Sequence, residues 1–322
     1  MPLRRLGTRF YSTLKSALPN LIRKKCEIFA SRGIQLPKYV LGCSENVPKS
    51  IEVHDVKAIA ELHKAGQITR QILKEIGLLI KPGISTADIE LLVINKCIEK
   101  AVYPSPLAFE GYPCCVCTSL NDVAIHGIPS EHDILRSGDL LSVDVTVFTG
   151  KAHGDACETF LICDEDTLSV NYTQKRHLIA CARRACESGI AVCGPGVAFA
   201  AIAESISQEV FEMGCRVVAG IGGHSIGDYF HGPPYVAHSV FERESQDAGV
   251  RMLPGHVFTI EPVIATAAQL TNGDTDEVIR NVALPVVSTI DNFSVRTTDR
   301  ALTAQFEEMV LITEEGVHVL TR

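Results

Sequence analysis

Alternating apolar and polar residues predict a strand that carries an unexpected charge. In LSVDVTVF, which begins at residue 141, Val143, Val145 and Val147 alternate with polar residues and would share one face of a β-strand. Asp144 stands in the middle of this strand, and a second carboxylate, Asp155, follows shortly after it. Burying an unpaired carboxylate costs on the order of several kcal/mol. The pattern therefore predicts a strand whose aspartate has a binding partner.

Helical spacing of apolar residues begins upstream of that strand. The spacing predicts a helix over 56–79, and the sequence KPGIST at 81–86 interrupts it. Ser85 and Asp88 then have the form of a capping box, which predicts a second helix through about residue 100. The first unit is thus a helix, a Pro-Gly break, a helix and then strands.

The same order of features returns later in the chain. Helical spacing covers 174–192, the break CGPGVAF follows, and a further helical pattern occupies 199–213. Downstream, HGPP corresponds to the earlier HGIP, and PGHVFTIEP corresponds to SGDLLSVDV, which aligns Glu261 with Asp144. We interpret this as a duplicated domain with a site between its halves. Chance similarity of short fragments is the alternative.

Basic residues are concentrated at the start of the chain. The first 25 residues contain no acidic residue, although the whole chain has 38 acidic against 30 basic residues. This composition is typical of a mitochondrial targeting segment, because a secretory signal would need an apolar core. RFYS at 9–12 predicts processing between residues 11 and 12; a disordered basic tail is the alternative. We therefore predict a targeting segment over 1–25, a linker or N-terminal extension over 26–49, and the main folded domain over 50–322.

Composition excludes several classes of protein. The chain is 46% hydrophobic and 21% charged, and no apolar run approaches the roughly 20 residues that a membrane span needs. The acidic body of the chain argues against nucleic-acid binding, which needs a basic face. The twelve cysteines lack the spacing of a zinc ribbon, so we interpret them as reduced thiols of a matrix or cytoplasmic protein.

Carboxylates without basic partners predict a metal site. No Lys or Arg occupies a matching strand position beside Asp144, Asp155, Glu261 or Glu307, and four carboxylates would balance two divalent cations. Oxygen ligands with one imidazole suit manganese, iron(II), cobalt(II) or zinc. Glycines in GGHSIGDYFHGPP permit close backbone approach around two histidines. The imidazole candidates are His126, His224 and His231 and, less strongly, His153 and His238.

From about residue 50 to its end, the sequence resembles the type I methionine aminopeptidases. The resemblance rests on YPSPLAFEGYPCCVCTSLNDVAIHGIP, GDLLSVDVTV, HGDACETF, GHSIGDYFH, FTIEP and DRALTAQFEE. It implies the α+β pita-bread fold, an internally duplicated antiparallel sheet flanked by helices, with two divalent metal ions at its centre. The basic start is similar to that of mitochondrial members, so we expect a matrix location, with a cytoplasmic one as the alternative. The family-like expectation is a monomer.

The resemblance also implies a metal-ligand set and a reaction. Asp155 and Glu307 would bridge the two ions, Asp144 would complete one site, and His224 with Glu261 would complete the other. A hydroxide activated by both metals would cleave the N-terminal methionine from nascent polypeptides, preferentially before a small second residue.

Other residues are implied to serve catalysis and substrate binding. Glu261 would shuttle the proton, His231 would donate to the carbonyl oxygen, and His126 would contact the scissile-bond nitrogen. An apolar pocket would hold the methionine side chain, since aromatic edges suit a thioether. Its lining would be Phe109, Tyr112, Cys117, His126, Phe230 and Phe293.

Some positions depart from the family pattern without removing a ligand. Phe109 stands where tyrosine is usual, and Phe293 stands where tryptophan is common. The segment 267–290 is longer than the family needs, and we expect a surface insertion near the pocket rim. The remaining departures are Cys114 and Cys115 for a usual Lys-Ser pair, Ser225 for a glycine, and Glu308 for a histidine.

Three other functions fit parts of the sequence. The Xaa-Pro aminopeptidases and prolidases share the fold, but the motif around the methionine pocket disfavours them. A non-catalytic binding protein of this fold is disfavoured because all five ligand positions are filled. A calcium-binding structural protein would leave the glycine-flanked histidines unexplained.

Overall fold

The computed structural model describes residues 18–163, 172–242, 247–267, 286–288 and 291–322. These residues form five α-helices: α1 (Asn20–Ala30), α2 (Val56–Gly77), α3 (Thr86–Glu99), α4 (Thr173–Ala191) and α5 (Ala200–Glu212). The strands are β1 (Tyr103–Pro104), β2 (Cys117–Leu120), β3 (Val123–Ile125), β4 (Leu140–Phe148), β5 (His153–Leu161), β6 (Arg216–Val217), β7 (Gly223–Ser225), β8 (Gly232–Val236), β9 (Val257–Ile260), β10 (Val263–Ala265), β11 (Val286–Ser288), β12 (Val295–Thr297), β13 (Thr303–Gln305), β14 (Glu308–Ile312) and β15 (Val317–Val319). Short 3-10 turns span Phe109–Gly111 and Val240–Glu242.

The helices begin where the sequence provides caps. Helix α2 starts after Asp55, whose Oδ1 accepts a hydrogen bond from the amide of Ala58 (2.8 Å). The predicted capping box starts α3: Ser85 Oγ accepts from the amide of Asp88 (3.1 Å), and Asp88 Oδ2 accepts from the amide of Ser85 (2.8 Å). The helical predictions for 56–79, 86–100, 174–192 and 199–213 are all confirmed within two residues.

The first half of the chain builds a four-stranded antiparallel sheet around β4. Strand β4 pairs with β1, β2 and β5, and its nine residues face those of β5 in unbroken register. The predicted alternation is confirmed, since Val143, Val145 and Val147 are fully buried in one core cluster with Ile72 and Leu73 of α2. The β4–β5 hairpin thereby holds both aspartates at the centre of the protein.

The second half repeats the plan with a larger sheet. Helices α4 and α5 pack together and share a core cluster with Phe258 and Ile260 of β9. The sheet has the order β15-β14-β9-β7-β8 and is antiparallel throughout. Two three-stranded sheets, β13-β10-β6 and β11-β12-β3, lie beside it, and β13 contacts β4 and β5 of the first half. The chain thus has the predicted α+β pita-bread fold, with a helix pair and an antiparallel sheet in each half.

Helix α1 and the residues after it belong to the core of the first half. Ile22, Cys26 and Phe29 of α1 are buried in the same cluster as β4, and Ile34 and Val40 join them. The segment 26–49 is therefore an extension packed against the main domain, since Cys26, Phe29, Ile34 and Val40 are buried in its core. Its contacts join residues that are distant along the chain, and local spacing carries no sign of them.

Lys25, which the composition grouped with the targeting segment, lies inside this fold. Its ammonium donates to Glu90 Oε1 (2.5 Å) and to the carbonyl oxygen of Pro113 (3.1 Å). The same Glu90 oxygen accepts the amide of Cys115 (2.9 Å). The ion pair is mostly buried, with 17% and 10% of the two side chains exposed. Lys25 therefore ties α1 to the loop that carries the predicted methionine pocket.

Replacing Lys25 with Met should lower the free energy of unfolding by about 2–3 kcal/mol, because Glu90 would remain buried without its cation. Thermal and urea unfolding of the full chain would measure the loss. Lys24→Met is the matched control. The Lys24 side chain is exposed, so this substitution should change the free energy of unfolding by less than about 0.5 kcal/mol. Equal effects of both substitutions would contradict a structural role for the Lys25–Glu90 pair.

Other sequence predictions fall partly or wholly outside the described residues. Residues 1–17, with the predicted processing position, lie outside them, as does most of the predicted insertion over 267–290. All twelve cysteines are free. Of the helices in the described part of the chain, not one combines the length and apolarity that crossing a bilayer requires.

Candidate metal centre and substrate cavity

One cavity collects the residues that the sequence singled out. It has a volume of about 370 Å³, and residues from both halves of the duplicated fold line it. The predicted ligands Asp144, Asp155, His224, Glu261 and Glu307 all lie on its wall. The predicted catalytic and pocket residues are on the same wall: Phe109, Tyr112, Cys117, His126, Phe230, His231 and Phe293.

The β4–β5 hairpin brings the two aspartates to one face. Asp155 is directly opposite Thr146, and Asp144 is two residues before Thr146 on β4, so all three share a face of the sheet. Thr146 Oγ1 donates to Asp155 Oδ1 (2.6 Å) and orients that carboxylate. Sequence reasoning missed Thr146, although the β4 alternation already put it on the same face as Asp144.

The second half supplies an imidazole and a carboxylate through β7 and β9. The amide of His224 donates to Thr259 Oγ1 (3.0 Å), and that hydroxyl donates to Glu261 Oε1 (2.8 Å). A Cβ at Gly223 would lie 2.1 Å from the carbonyl oxygen of Thr259, so only glycine permits this approach of β7 to β9. His224 Nε2 consequently lies 3.7 Å from Glu261 Oε1 and 3.8 Å from Asp155 Oδ2.

Glu307 completes the cluster from the segment between β13 and β14. Its amide donates to the carbonyl oxygen of Cys157 on β5 (3.0 Å), which brings Glu307 beside the aspartate hairpin. Asp155, His224 and Glu307 each place one potential ligand atom within 4.8 Å of the others. Buried oxygens Asp144 Oδ1 and Glu307 Oε1 have no hydrogen-bond partner among the described residues. The donor set of four carboxylates and one imidazole therefore fits divalent cations.

The electrostatics of the cluster agree with this fit. Burial raises the pKa of Asp155 to about 7, and burial together with the charge of Asp155 raises the pKa of Glu261 to about 8. Burial and neighbouring carboxylates also raise the pKa values of Asp144 and Glu307 well above the usual range. Burial lowers the pKa of His224 to about 4, which keeps its imidazole neutral and able to bind a metal. A bound cation would offset the cost of the crowded carboxylates.

Aromatic rings form the apolar side of the cavity. Phe109 meets Phe230 edge to face with ring centroids 4.7 Å apart, and Tyr112 meets Phe293 in the same way at 5.3 Å. Cys117 on β2 is directly opposite Asp144 on β4, so the pocket adjoins the carboxylate cluster. A methionine side chain would thus lie among aromatic edges while its backbone reaches the cluster.

Two histidines stand at the mouth of the cavity. His231 stacks on Phe230 with centroids 4.1 Å apart, and its ring centroid is also 4.1 Å from that of His224. His126 has a left-handed backbone conformation (φ 57°) immediately after β3. Both side chains are exposed, unlike the ligands, so they are free to meet a substrate.

The weaker histidine candidates lie behind the cavity wall. His153 Nδ1 is hydrogen-bonded to Ser105 Oγ (2.8 Å), and its ring is parallel to that of Phe230 at 5.3 Å. His238 Nε2 faces the amide of Glu261 at 3.4 Å. Both are fully buried, and their contacts support residues of the site.

The family departures separate into two groups. Phe109 and Phe293 line the cavity, whereas Glu308 pairs with Arg70 (2.8 Å) away from it. Ser225 Oγ is hydrogen-bonded to Tyr229 O–H (3.2 Å). Cys114 and Cys115 are buried beside the Lys25–Glu90 pair and do not line the cavity.

Comparison with known proteins finds relatives of the whole domain. The model of metallopeptidase family M24 matches residues 60–314. The mitochondrial methionine aminopeptidase 1D of Homo sapiens is 37% identical over 290 residues, which cover 90% of this chain and 78% of that protein. The protein of the same name from Danio rerio is 38% identical over 292 residues, with the same two shares covered.

A solved structure matches the same region. The methionine aminopeptidase from Rickettsia prowazekii has a TM-score of 0.72 and 29% sequence identity, and the match covers 84% of this chain and 100% of that one. The family match includes all five candidate ligands, helices α3, α4 and α5, and α2 from residue 60 onward.

Proposed function

The chain belongs to metallopeptidase family M24 and is a metal-dependent methionine aminopeptidase that removes N-terminal methionine from proteins, and we propose that the cavity described above performs this reaction. One observation carries the proposal. The unbalanced carboxylate cluster and the aromatic pocket share a single cavity of about 370 Å³. A methionine side chain in the pocket would bring its amino group and scissile bond to the cluster.

The five candidate residues would hold two divalent metal ions. Asp144, Asp155, His224, Glu261 and Glu307 would hold the ions, and Asp155, His224 and Glu307 each place one potential ligand atom within 4.8 Å of the others. When bound, the ions would supply Lewis acidity and make a water acidic enough to act as the nucleophile near neutral pH. Manganese, iron(II), cobalt(II) and zinc all suit this donor set.

The other residues of the chain would bind, orient and move protons. Glu261 would accept the proton of the attacking water and return it to the leaving nitrogen, with Thr259 Oγ1 orienting its carboxylate. His231 would donate to the carbonyl oxygen, where negative charge develops. His126, also on the cavity wall, would contact the scissile-bond nitrogen. Since both histidines are exposed on the cavity wall, a small second residue would pass them most easily.

Location and assembly extend the proposal beyond the reaction. Relatives named as mitochondrial support a mitochondrial location, and the basic first 25 residues are consistent with import. We propose that the enzyme acts in the matrix as a monomer on nascent polypeptide N termini. A formylated terminus would first need deformylation, because a formylated amine is no longer a metal ligand.

A hydrolysis assay tests the proposed function directly. The full-length protein, stripped of metal and then supplied with manganese or cobalt, should release methionine from Met-Ala-Ser and leave Ala-Pro-Ala intact. Cleavage of the proline peptide alone would instead indicate an Xaa-Pro enzyme. If the protein bound two ions but cleaved neither peptide, the result would indicate a binding protein of this fold.

The metal-free protein should lose stability as the pH rises from 7 to 9. In this range the folded carboxyls of Asp155 and Glu261 ionise, with pKa values of about 7 and 8, whereas unfolded carboxyls have been ionised since about pH 4. The folded state therefore holds more protons than the unfolded state, and its stability falls with rising pH. Histidines whose pKa is lowered in the folded protein make its stability rise with pH, but only below about pH 6.5, the pKa of an unfolded histidine.

Thermal unfolding with a chelator and with manganese would measure this effect. The melting temperature should fall more steeply between pH 7 and pH 9 in the chelated sample than in the manganese sample. Both should fall to some extent, because unfolded cysteines ionise near pH 8.5 whereas burial raises the pKa of folded thiols such as Cys114 and Cys193. Parallel curves for the two samples would contradict the proposed metal centre.

A further inference from the structure

A second groove adjoins the catalytic cavity on the side of the N-terminal arm, which we define as residues 37–47. The groove has a volume of about 460 Å³. Phe109, Glu110 and His231 line both the groove and the cavity, so the two spaces adjoin at these residues. The opposite wall is formed by the arm, through Tyr39, Gly42, Cys43, Ser44, Glu45 and Val47.

Specific contacts hold the arm against the catalytic domain. Tyr39 O–H donates to the carbonyl oxygen of Ser105 (2.5 Å), and the Tyr39 ring meets Phe109 edge to face at 5.2 Å. Glu45 Oε1 accepts the amide of Phe230 (3.2 Å). These contacts attach the arm to two aromatic residues of the methionine pocket. The arm is therefore held in place and forms a fixed wall of the groove.

Glu110 gives the groove a negative charge at its junction with the cavity. A tight turn places this side chain outward: Glu110 has φ 48°, and the amide of Tyr112 donates to the carbonyl oxygen of Phe109 (2.8 Å). The side chain is exposed, and it has no ion-pair or hydrogen-bond partner in the described part of the chain. Nearby Glu45 adds a second, less exposed carboxylate. The groove thus complements a cationic ligand.

We propose that this groove binds the third and fourth residues of the substrate polypeptide and favours lysine or arginine there. The inference rests on the proposed function, in which His231 meets the scissile carbonyl. Because His231 also lines the groove, a chain that continues beyond the scissile bond enters the groove directly. Each extended residue advances the chain by about 3.3 Å, so the third and fourth residues pass between Glu110 and the arm.

Three peptides test the inference on the full-length, metal-loaded enzyme: Met-Ala-Ser, Met-Ala-Lys-Lys-Ser and Met-Ala-Glu-Glu-Ser. At low ionic strength, kcat/KM for the lysine peptide should exceed that for the glutamate peptide by about 3- to 5-fold, as for exposed ion pairs. The ratio should approach one in about 1 M salt. In Glu110→Lys the preference should invert. Glu314→Lys is the matched control, because Glu314 is exposed and the substitution changes the net charge equally.

A second measurement tests the arm itself. Cys43 is exposed on the arm wall of the groove, so a bulky maleimide on its thiol would obstruct the groove. Labelling should lower kcat/KM for the lysine peptide relative to Met-Ala-Ser by at least about 3-fold, while the same treatment of Cys43→Ser should not change this ratio. A preference that persists in Glu110→Lys, or a ratio that labelling leaves unchanged, would overturn the inference. Failure to hydrolyse Met-Ala-Ser would instead overturn the proposed function.

Discussion

Asp155→Asn should reduce kcat/KM for Met-Ala-Ser by more than about 100-fold and remove most of the bound metal. Asp155 lies opposite Thr146, which already occupies Oδ1, and its Oδ2 faces His224 Nε2 at 3.8 Å. An asparagine would present only one oxygen and no negative charge to the cluster. Replacing residues that merely orient ligands costs about 10- to 100-fold in affinity or activity, so the loss of a proposed metal ligand itself should cost more.

The same substitution should have the opposite effect on the metal-free protein. Asp155 crowds Glu261 and Glu307, since its charge contributes to the raised pKa of each. Removing that charge relieves repulsion in a buried site. With a chelator present at pH 8, Asp155→Asn should therefore melt at a higher temperature than the wild-type protein. With manganese present, Asp155→Asn should melt at a lower temperature than the wild-type protein.

Activity, metal content and melting temperature together check this prediction. Metal per chain can be measured by inductively coupled plasma mass spectrometry after dialysis. Asp133→Asn makes the same chemical change at an exposed position and should alter none of the three quantities. An Asp155→Asn enzyme that keeps the metal content and turnover of the wild-type protein would contradict the proposed role of Asp155 as a metal ligand.

Local patterns singled out several of the residues that the structure brings together in the cavity. Asp144 interrupts an alternating strand, and the glycines around His224 mark a close backbone approach; Gly223 indeed touches Thr259. The correspondence of Glu261 with Asp144 also has a structural counterpart. Asp144 lies on β4 and Glu261 directly follows β9, each strand belonging to the sheet of its own half. Periodicity reports such features because the residues involved are close in sequence.

Contacts between distant residues could not be predicted in this way. Lys25 resembles its basic neighbours in composition, yet its ammonium bonds Glu90, 65 residues away. Glu45 reaches the amide of Phe230, 185 residues away. Such pairs depend on the packing of α1 and the arm against the domain, which no spacing rule encodes. Chain composition therefore placed residues 20–25 of α1 in the predicted targeting segment, although packing buries Ile22, Cys26 and Phe29 of this helix in the core.

His231→Ala should lower kcat by about 100- to 1,000-fold while leaving most of the metal in place. His231 lies beside ligand His224 with ring centroids 4.1 Å apart, but its exposed side chain is directed to the mouth of the cavity. A donor at that position would bond the carbonyl oxygen most strongly as negative charge develops there. The substitution should therefore reduce kcat more than it raises KM.

Matched variants separate this catalytic role from packing. The His231 ring also stacks on Phe230, so Ala removes a packing contact as well as a donor. His231→Asn keeps a side-chain donor and should recover about 10-fold of the lost kcat, whereas His231→Leu keeps only apolar bulk and should recover none. His132→Ala, at an exposed position away from the cavity, should behave as wild type. If His231→Ala lost metal and turnover to the same extent, the histidine would serve the metal centre instead. A residue that only donates to the carbonyl oxygen should affect turnover without changing the metal content.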